Sequence, residues 1–216
     1  MKKTLPFFVF LLTASTALAY NPLVIQPPQP YDILPIEGDP YVEHQFLGTL
    51  EDYPEMFELS TDVSIDLKIK VRQKNSSDAV PFGLIMVRKN ENDGGVSEVA
   101  RLNQPISEWK KVSDRVFGIS FLESDSIEKN VSPGTYRIEV STPDNKGAYM
   151  LMVGEEPQSS GFFKTIGQIY STQKSFGYTP FHMLLSSYIF YPLGILLVLY
   201  GIYRTWRYRK EIIHVS

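Results

Sequence analysis

Three features of this 216-residue chain predict a mainly β fold: an antiparallel, jelly-roll-like β-sandwich with a short amphipathic helix and one C-terminal transmembrane helix. Its middle alternates apolar and polar residues with a period of two, the pattern of a strand with one buried and one wet face. Clusters of Gly, Pro, Asn and Asp separate these runs at short intervals, as in sandwiches and barrels. Near the C-terminus, residues 183–203 read MLLSSYIFYPLGILLVLYGIY, 21 residues without a charge. A bilayer core needs about 20 apolar residues of helix at about 1.5 Å each.

The net charge of −3 is unevenly shared. Residues 20–156 hold 13 Lys and Arg against 23 Asp and Glu, a net −10, while residues 204–216 hold 4 against 1, a net +3. An acidic domain argues against nucleic acid as a partner, because that ligand needs a cationic face. The chain has no cysteine. Disulfides, thiolate metal ligands and cysteine nucleophiles are therefore excluded.

Residues 1–19 read as a secretory signal peptide. Lys2 and Lys3 precede an apolar run from Leu5 to Leu12, and Ala17-Leu18-Ala19 has the small-x-small form of a cleavage site. The short Met-Lys-Lys start is typical of bacteria. Residues 20–41 carry Pro22, Pro27, Pro28, Pro30, Pro35 and Pro40, which predicts an extended leader laid along or tethered to the domain.

Residues 42–154 form the predicted extracytoplasmic sandwich. Val63, Ile65, Leu67, Ile69 and Val71 alternate with Ser64, Asp66, Lys68, Lys70 and Arg72. Tyr136, Ile138 and Val140 alternate with Arg137 and Glu139. Tyr149, Leu151 and Val153 repeat the pattern, although Met150 and Met152 between them are also apolar. Phe82 to Arg88 is more continuously apolar, which suits a central strand. Turns are predicted at NENDGG (90–95) and PDNKG (143–147), the second closing a hairpin of 135–142 with 148–154. Trp109, Phe117 and Phe121 are expected in the core or over its rim.

The stretch PGTYRIEV (133–140), a turn, then GAYMLMV (147–153) resembles the closing hairpin of bacterial pre-peptidase C-terminal modules, which are small jelly-roll sandwiches. Gly134 and Gly147 would serve the turns, and Tyr136 and Tyr149 the core. The overall layout also resembles single-span bacterial membrane proteins that carry such a sandwich outside. The resemblance implies a fold and an accessory or binding role, not a reaction.

Residues 155–182 link domain and span. Phe162, Phe163, Ile166, Ile169, Tyr170 and Gln173 share one face of a predicted helix, while Lys164, Thr165, Gln168 and Ser171 take others. Two placements are open for the apolar face: the outer leaflet, or the sandwich or a partner. Residues 183–203 follow as the transmembrane helix, with a mild kink expected near Pro192. Residues 204–216 form a basic tail. Arg204, Arg207, Arg209 and Lys210 place that tail in the cytoplasm and the domain outside a cell membrane, in a single-pass topology. Tyr188, Tyr191, Tyr200, Tyr203 and Trp206 are expected at the membrane interfaces.

Catalytic signals are few. His44 is the only histidine of the sandwich, and no nucleophile elbow, HExxH, P-loop or dinucleotide fingerprint occurs. Glu51 with Asp52, and Glu123 with Asp125, are close in sequence, but an acid/base pair needs environments that separate two pKa values. Asp39, Glu43, Asp93 and Asp144 fall at loop or strand ends, where sandwiches bind Ca²⁺, yet no acidic string of the calcium-loop type occurs. No cofactor is expected. Asn75-Ser76-Ser77 and Asn130-Val131-Ser132 fit the glycosylation pattern, which in a bacterium is a chance match. The resulting expectation is a non-enzymatic module at the cell surface, with the lipid bilayer and a surface protein or glycan as partners. The alternative is an accessory subunit of a membrane complex, assembled through Ser186, Ser187, Tyr188, Pro192 and Gly194.

Overall fold

The computed structural model describes residues 22–25, 29–90, 94–156 and 161–213, the last five without their side chains. The signal segment, residues 91–93 and the last three residues lie outside this set. Among the described residues, twelve strands form two facing sheets. They are β1 (Pro22–Val24), β2 (Ile33–Pro35), β3 (His44–Glu51), β4 (Glu55–Thr61), β5 (Ile65–Lys74) and β6 (Gly83–Lys89). Then come β7 (Val96–Leu102), β8 (Lys110–Asp114), β9 (Ile119–Glu123), β10 (Ile127–Val131), β11 (Gly134–Ser141) and β12 (Lys146–Val153). The seven-stranded sheet runs β1-β3-β12-β5-β9-β8, with β10 also on β5; the five-stranded sheet runs β2-β4-β11-β6-β7.

The alternating runs behave as their period demands. Ile65, Leu67, Ile69 and Val71 of β5 point between the sheets and meet Phe57, Leu59, Leu84, Met86, Ile138, Val140 and Leu151. Val63 is the exception; it lies in the turn before β5 and is exposed. The continuously apolar β6 is indeed interior, between β11 and β7.

Two strands of the leader lie on the sandwich: β1 pairs with β3 and β2 with β4, both parallel, so each sheet gains an edge strand. One expectation needs correction, the predicted hairpin. β11 bonds to β4 and β6, while β12 bonds to β3 and β5 in the opposite sheet. The PDNKG connection is thus an arch between sheets. Asn145 holds it with φ of 49°, donating its N–H to Thr142 O at 3.1 Å, while its carbonyl accepts from Asp52 N at 2.9 Å. The physical reason lies in burial: Tyr149, Leu151 and Val153 face the inter-sheet core, and Met150 and Met152 are buried on the other side. A strand apolar on both faces takes a central position in the sheet that is covered twice.

That second cover is the C-terminal segment. Helix α1 (Phe162–Ser175), a 3-10 turn (Pro180–Leu185) and the first turn of helix α2 (Ser187–Ile213) close over the outer face of the seven-stranded sheet. They form a second core in which Ile169, Phe176 and Tyr188 meet Leu47, Phe117, Ile119, Phe121, Met150 and Met152. Beyond this root α2 runs free. Its stretch Ser187–Tyr208 is long and apolar enough to cross a membrane.

Candidate functional site

The sequence gives β5 an outer row of cations, Lys68, Lys70, Arg72 and Lys74, and each finds a partner. Lys68 pairs with Glu128 at 2.9 Å and Glu155 at 3.6 Å. Lys70 reaches Glu123 at 3.4 Å. Arg72, buried, donates through Nε to Glu123 at 2.5 Å and through Nη1 to Asp114 at 3.4 Å, with its guanidinium 5.8 Å from the Phe121 ring centre. Lys74 lies 4.5 Å from the Tyr178 ring centre. Burial pushes the Glu123 carboxyl up, but Arg72 and Lys70 outweigh it and hold the group below the usual carboxylate value. Asp114 Oδ1 also accepts the Val116 and Phe117 N–H groups at 2.9 and 3.1 Å, which shapes the β8–β9 turn. Lys68 and Lys70 tie β5 to its neighbours, while Arg72 through Asp114 and Lys74 through Tyr178 fasten it to the β8–β9 turn and the C-terminal segment.

That turn is where domain and apolar helix join. Ser187 N–H donates to Arg115 O at 2.9 Å, and Ser186 Oγ donates to Val116 O at 2.5 Å. His182 Nε2 lies 2.9 Å from Gly118 O, and Gln173 Nε2 donates to Phe117 O at 2.6 Å. Gly118 leaves just enough room, since a Cβ there would come within 2.8 Å of the Leu185 backbone.

A cavity of about 650 Å³ opens between the β3–β4 end of the sandwich and α1. Thr49, Glu51, Tyr53 and Glu55 line one side, Tyr170, Ser171, Lys174 and Ser175 the other, with Val24, Ile25 and Leu47 as its apolar floor. Glu55 is only 3% exposed and accepts a hydrogen bond from the buried Tyr149 hydroxyl. Burial raises the Glu55 carboxyl above the ordinary carboxylate value; the Tyr149 bond opposes this and the Glu51 charge adds to it. The Tyr149 hydroxyl is raised well above its usual value, by burial and then by Glu55. The cavity thus offers hydroxyls, one lysine and two carboxylates of unlike environment beside apolar side chains.

Glu55 also predicts a pH dependence. A carboxyl whose folded value is raised favours the fold below its unfolded value, and this stability is lost as pH rises through the folded value. Glu55→Gln keeps an acceptor for Tyr149 and abolishes the titration. Unfolding by urea at pH 4 and pH 7 is expected to show the variant gaining on the wild type over that interval. An identical pH slope in both proteins would contradict this placement.

The residues singled out from sequence are dispersed. His44 Nε2 lies 2.9 Å from Asp39 O and its ring stacks on Phe46. Asp52 pairs with Lys146 and Asp125 with Lys110. Glu43, its carboxyl raised by burial, accepts from Gln45, and Asp144 accepts from Thr142. Among the described residues no group of three His, Asp or Glu side chains converges as a metal site, and Asp93 lies outside the set. Asn75 and Asn130 donate to Ser120 and Asp66.

Of the resemblance residues, Tyr136 donates to Ser132 O at 2.7 Å and packs, like Tyr149, in the core. Gly134 opens β11 and Gly147 lies at the start of β12, both with positive φ. Tyr191, Tyr200, Tyr203 and Trp206 are exposed on α2. Tyr188 is instead 8% exposed, packed in the second core. Arg204 lies beside Tyr208, with the charge centre 5.5 Å from its ring, and Arg207 is on the same helix. Arg209 and Lys210 fall on the last turns, where side chains are outside the described set.

The molecule is therefore a mainly β sandwich with a cavity at one end and a bare apolar helix at its C-terminus. Comparison with family models finds no match. No curated protein matches either. Among solved structures, the sandwich is similar to the pre-peptidase C-terminal domain of a collagenase from Bacillus anthracis, at 14% identity and a TM-score of 0.37, covering 58% of this chain and 96% of that one. It is similar to the Yersinia pseudotuberculosis-derived mitogen, at 12% and 0.34, covering 55% and 89%. It is also similar to PliG of Aeromonas hydrophila, a periplasmic inhibitor of g-type lysozyme, at 10% and 0.36, covering 62% and 97%. Likenesses this distant concern the fold and say nothing about ligand or activity.

Proposed function

We propose that this chain is a non-catalytic binding module, held at the outer face of a cell membrane by α2, which presents the β3–α1 cavity to a surface protein or glycan. The observation that carries this reading is the continuity of the second core with α2. The segment that completes the sandwich also emits an apolar helix with Phe190, Leu193, Leu196, Leu197 and Val198 exposed. Such a surface needs lipid or other helices around it. Arg204, Arg207, Arg209 and Lys210 at its far end support a cytoplasmic tail.

The accessory-subunit reading rests on α2 alone. Ser186 and Tyr188 are less available to it than expected, since both are taken up by the domain. A photo-crosslinking residue at Tyr170, in the cavity wall, or at Leu196, on α2, tests both readings in intact cells. A binding module is expected to yield surface protein or glycan adducts from position 170 and lipid from 196. Discrete integral-membrane adducts from 196 with none from 170 would reverse the order of the two readings.

A further inference from the structure

We propose that the sandwich sits directly on the bilayer surface, seated by an apolar rim that its own C-terminal segment builds around the root of α2. This rests on the anchored reading above and adds how the domain meets the lipid. The orientation of α1 points to it. At 3.6 residues per turn, successive side chains are about 100° apart. The apolar arc of α1 centres on Ile166, but the arc it buries centres near Thr165 and Thr172, roughly 100° away. The helix presses polar side chains on its own domain: Thr165, Gln168, Thr172 and Gln173 are buried, and Thr172 Oγ1 and Gln173 Oε1 have no hydrogen-bond partner among the described residues. Of its apolar residues only Ile169 is buried against the domain, while Phe162, Phe163 and Tyr170 look outward. Phe163 is 85% exposed.

The neighbouring 3-10 turn repeats the arrangement. Phe181 is 82% exposed, and Leu184 and Leu185 are also exposed. Both elements meet α2 at its first turn. Phe162 touches Phe163 edge-on at 5.5 Å and stacks on Tyr188 at 6.0 Å, and Leu185 is two residues before Ser187. The rim is continuous with the apolar surface of α2, where Phe190 and Tyr191 follow.

Charge identifies lipid as the occupant. Acidic residues crowd the domain up to Glu156, whereas residues 157–203 contain none, and Lys164 and Lys174 are their only full cations. A rim of exposed apolar side chains whose segment carries two lysines and no carboxylate can enter a bilayer interface without burying a negative charge or facing repulsion from anionic lipid.

The chain has no cysteine, so single spin labels can be placed without altering it otherwise. Phe163→Cys and Phe181→Cys report on the rim, Leu196→Cys on α2, and Val63→Cys on the opposite pole. Val63 precedes β5, whose far end at Lys74 touches Tyr178, so it lies roughly 30 Å from that contact at about 3.3 Å per strand residue. The full chain is reconstituted in phosphatidylethanolamine–phosphatidylglycerol vesicles, and collision with dissolved oxygen and with an aqueous nickel chelate is measured. The expected result is a several-fold loss of nickel collision at 163 and 181 relative to 63, with oxygen collision retained. Rim labels as open to nickel as position 63, while 196 stays in lipid, would overturn the seat and leave the anchor intact. Rim labels shielded from both reagents would mean a protein cover, which also overturns it. A label at 196 open to nickel would remove the anchor and the seat together.

Discussion

Arg72→Met is expected to lower stability by about 3–5 kcal/mol, because it strands buried carboxylates without a counter-charge. The substitution keeps much of the side-chain volume, so packing over Phe121 changes little. Glu123 loses its closest partner and keeps Lys70 at 3.4 Å. Asp114 keeps the Val116 and Phe117 amides, which limits the damage on that side. The loss should therefore fall mostly on Glu123. Adding Glu123→Gln to Arg72→Met removes the stranded charge, and the double variant is expected to recover at least half of the lost stability. The pH dependence follows from the depressed Glu123 value. Its contribution in the wild type is present above the unfolded carboxylate value and is lost as pH falls through the folded one. In Arg72→Met the same carboxyl is buried without its guanidinium and protonates at higher pH. The gap between wild type and variant should then narrow as pH falls toward 4. Urea unfolding of the detergent-solubilised chain, followed by the buried Trp109 in a Trp206→Phe background, measures both effects. A gap that is constant with pH would show that charge is not the cause.

How much of this was visible in the residues depends on the scale of the interaction. β5 and β11 were legible because their pattern repeats every second residue, a property of the strand itself, and β6 because a short continuous apolar run suits an interior strand. Which strand pairs with which was not. The segments flanking PDNKG have hairpin chemistry, but the turn cannot report that β12 needs cover on both faces; Met150 and Met152 were the available signal. α1 was legible as a helix but not in its rotation. The apolar face marks where grease is, not which solvent it meets, and here Thr165 and Gln168 go inward while Phe163 goes out. The cavity was invisible for a different reason. Thr49, Tyr53, Tyr170 and Lys174 come from two strands' ends and a helix more than a hundred residues away, and no spacing rule links them.

Gly48→Ala illustrates the same limit and is expected to cost about 2–5 kcal/mol, the sum of overpacking and a broken buried hydrogen bond. Gly48 sits mid-strand in β3, between the outward Leu47 and Thr49, with its α-carbon facing the other sheet. A Cβ at that point would come within 2.5 Å of the Tyr149 ring and hydroxyl and of Glu55 Oε2. The missing side chain is the space in which the Tyr149–Glu55 pair lies. Neither partner can retreat easily. Tyr149 is enclosed in the core with Phe82 at 5.5 Å between ring centres, and Glu55 is held on β4 opposite Val140 of β11. The route left for Glu55 is toward the cavity, where Glu51 already stands. Measuring Gly48→Ala in a Tyr149→Leu background isolates the cause, because the ring atoms that would be struck are gone. The cost of the alanine should then fall by more than 1 kcal/mol, a non-additivity of the size seen for residues in contact (about 0.5–3 kcal/mol). Additive costs would place the fault in the backbone of β3 and remove Gly48 from any role in setting the acidic end of the cavity.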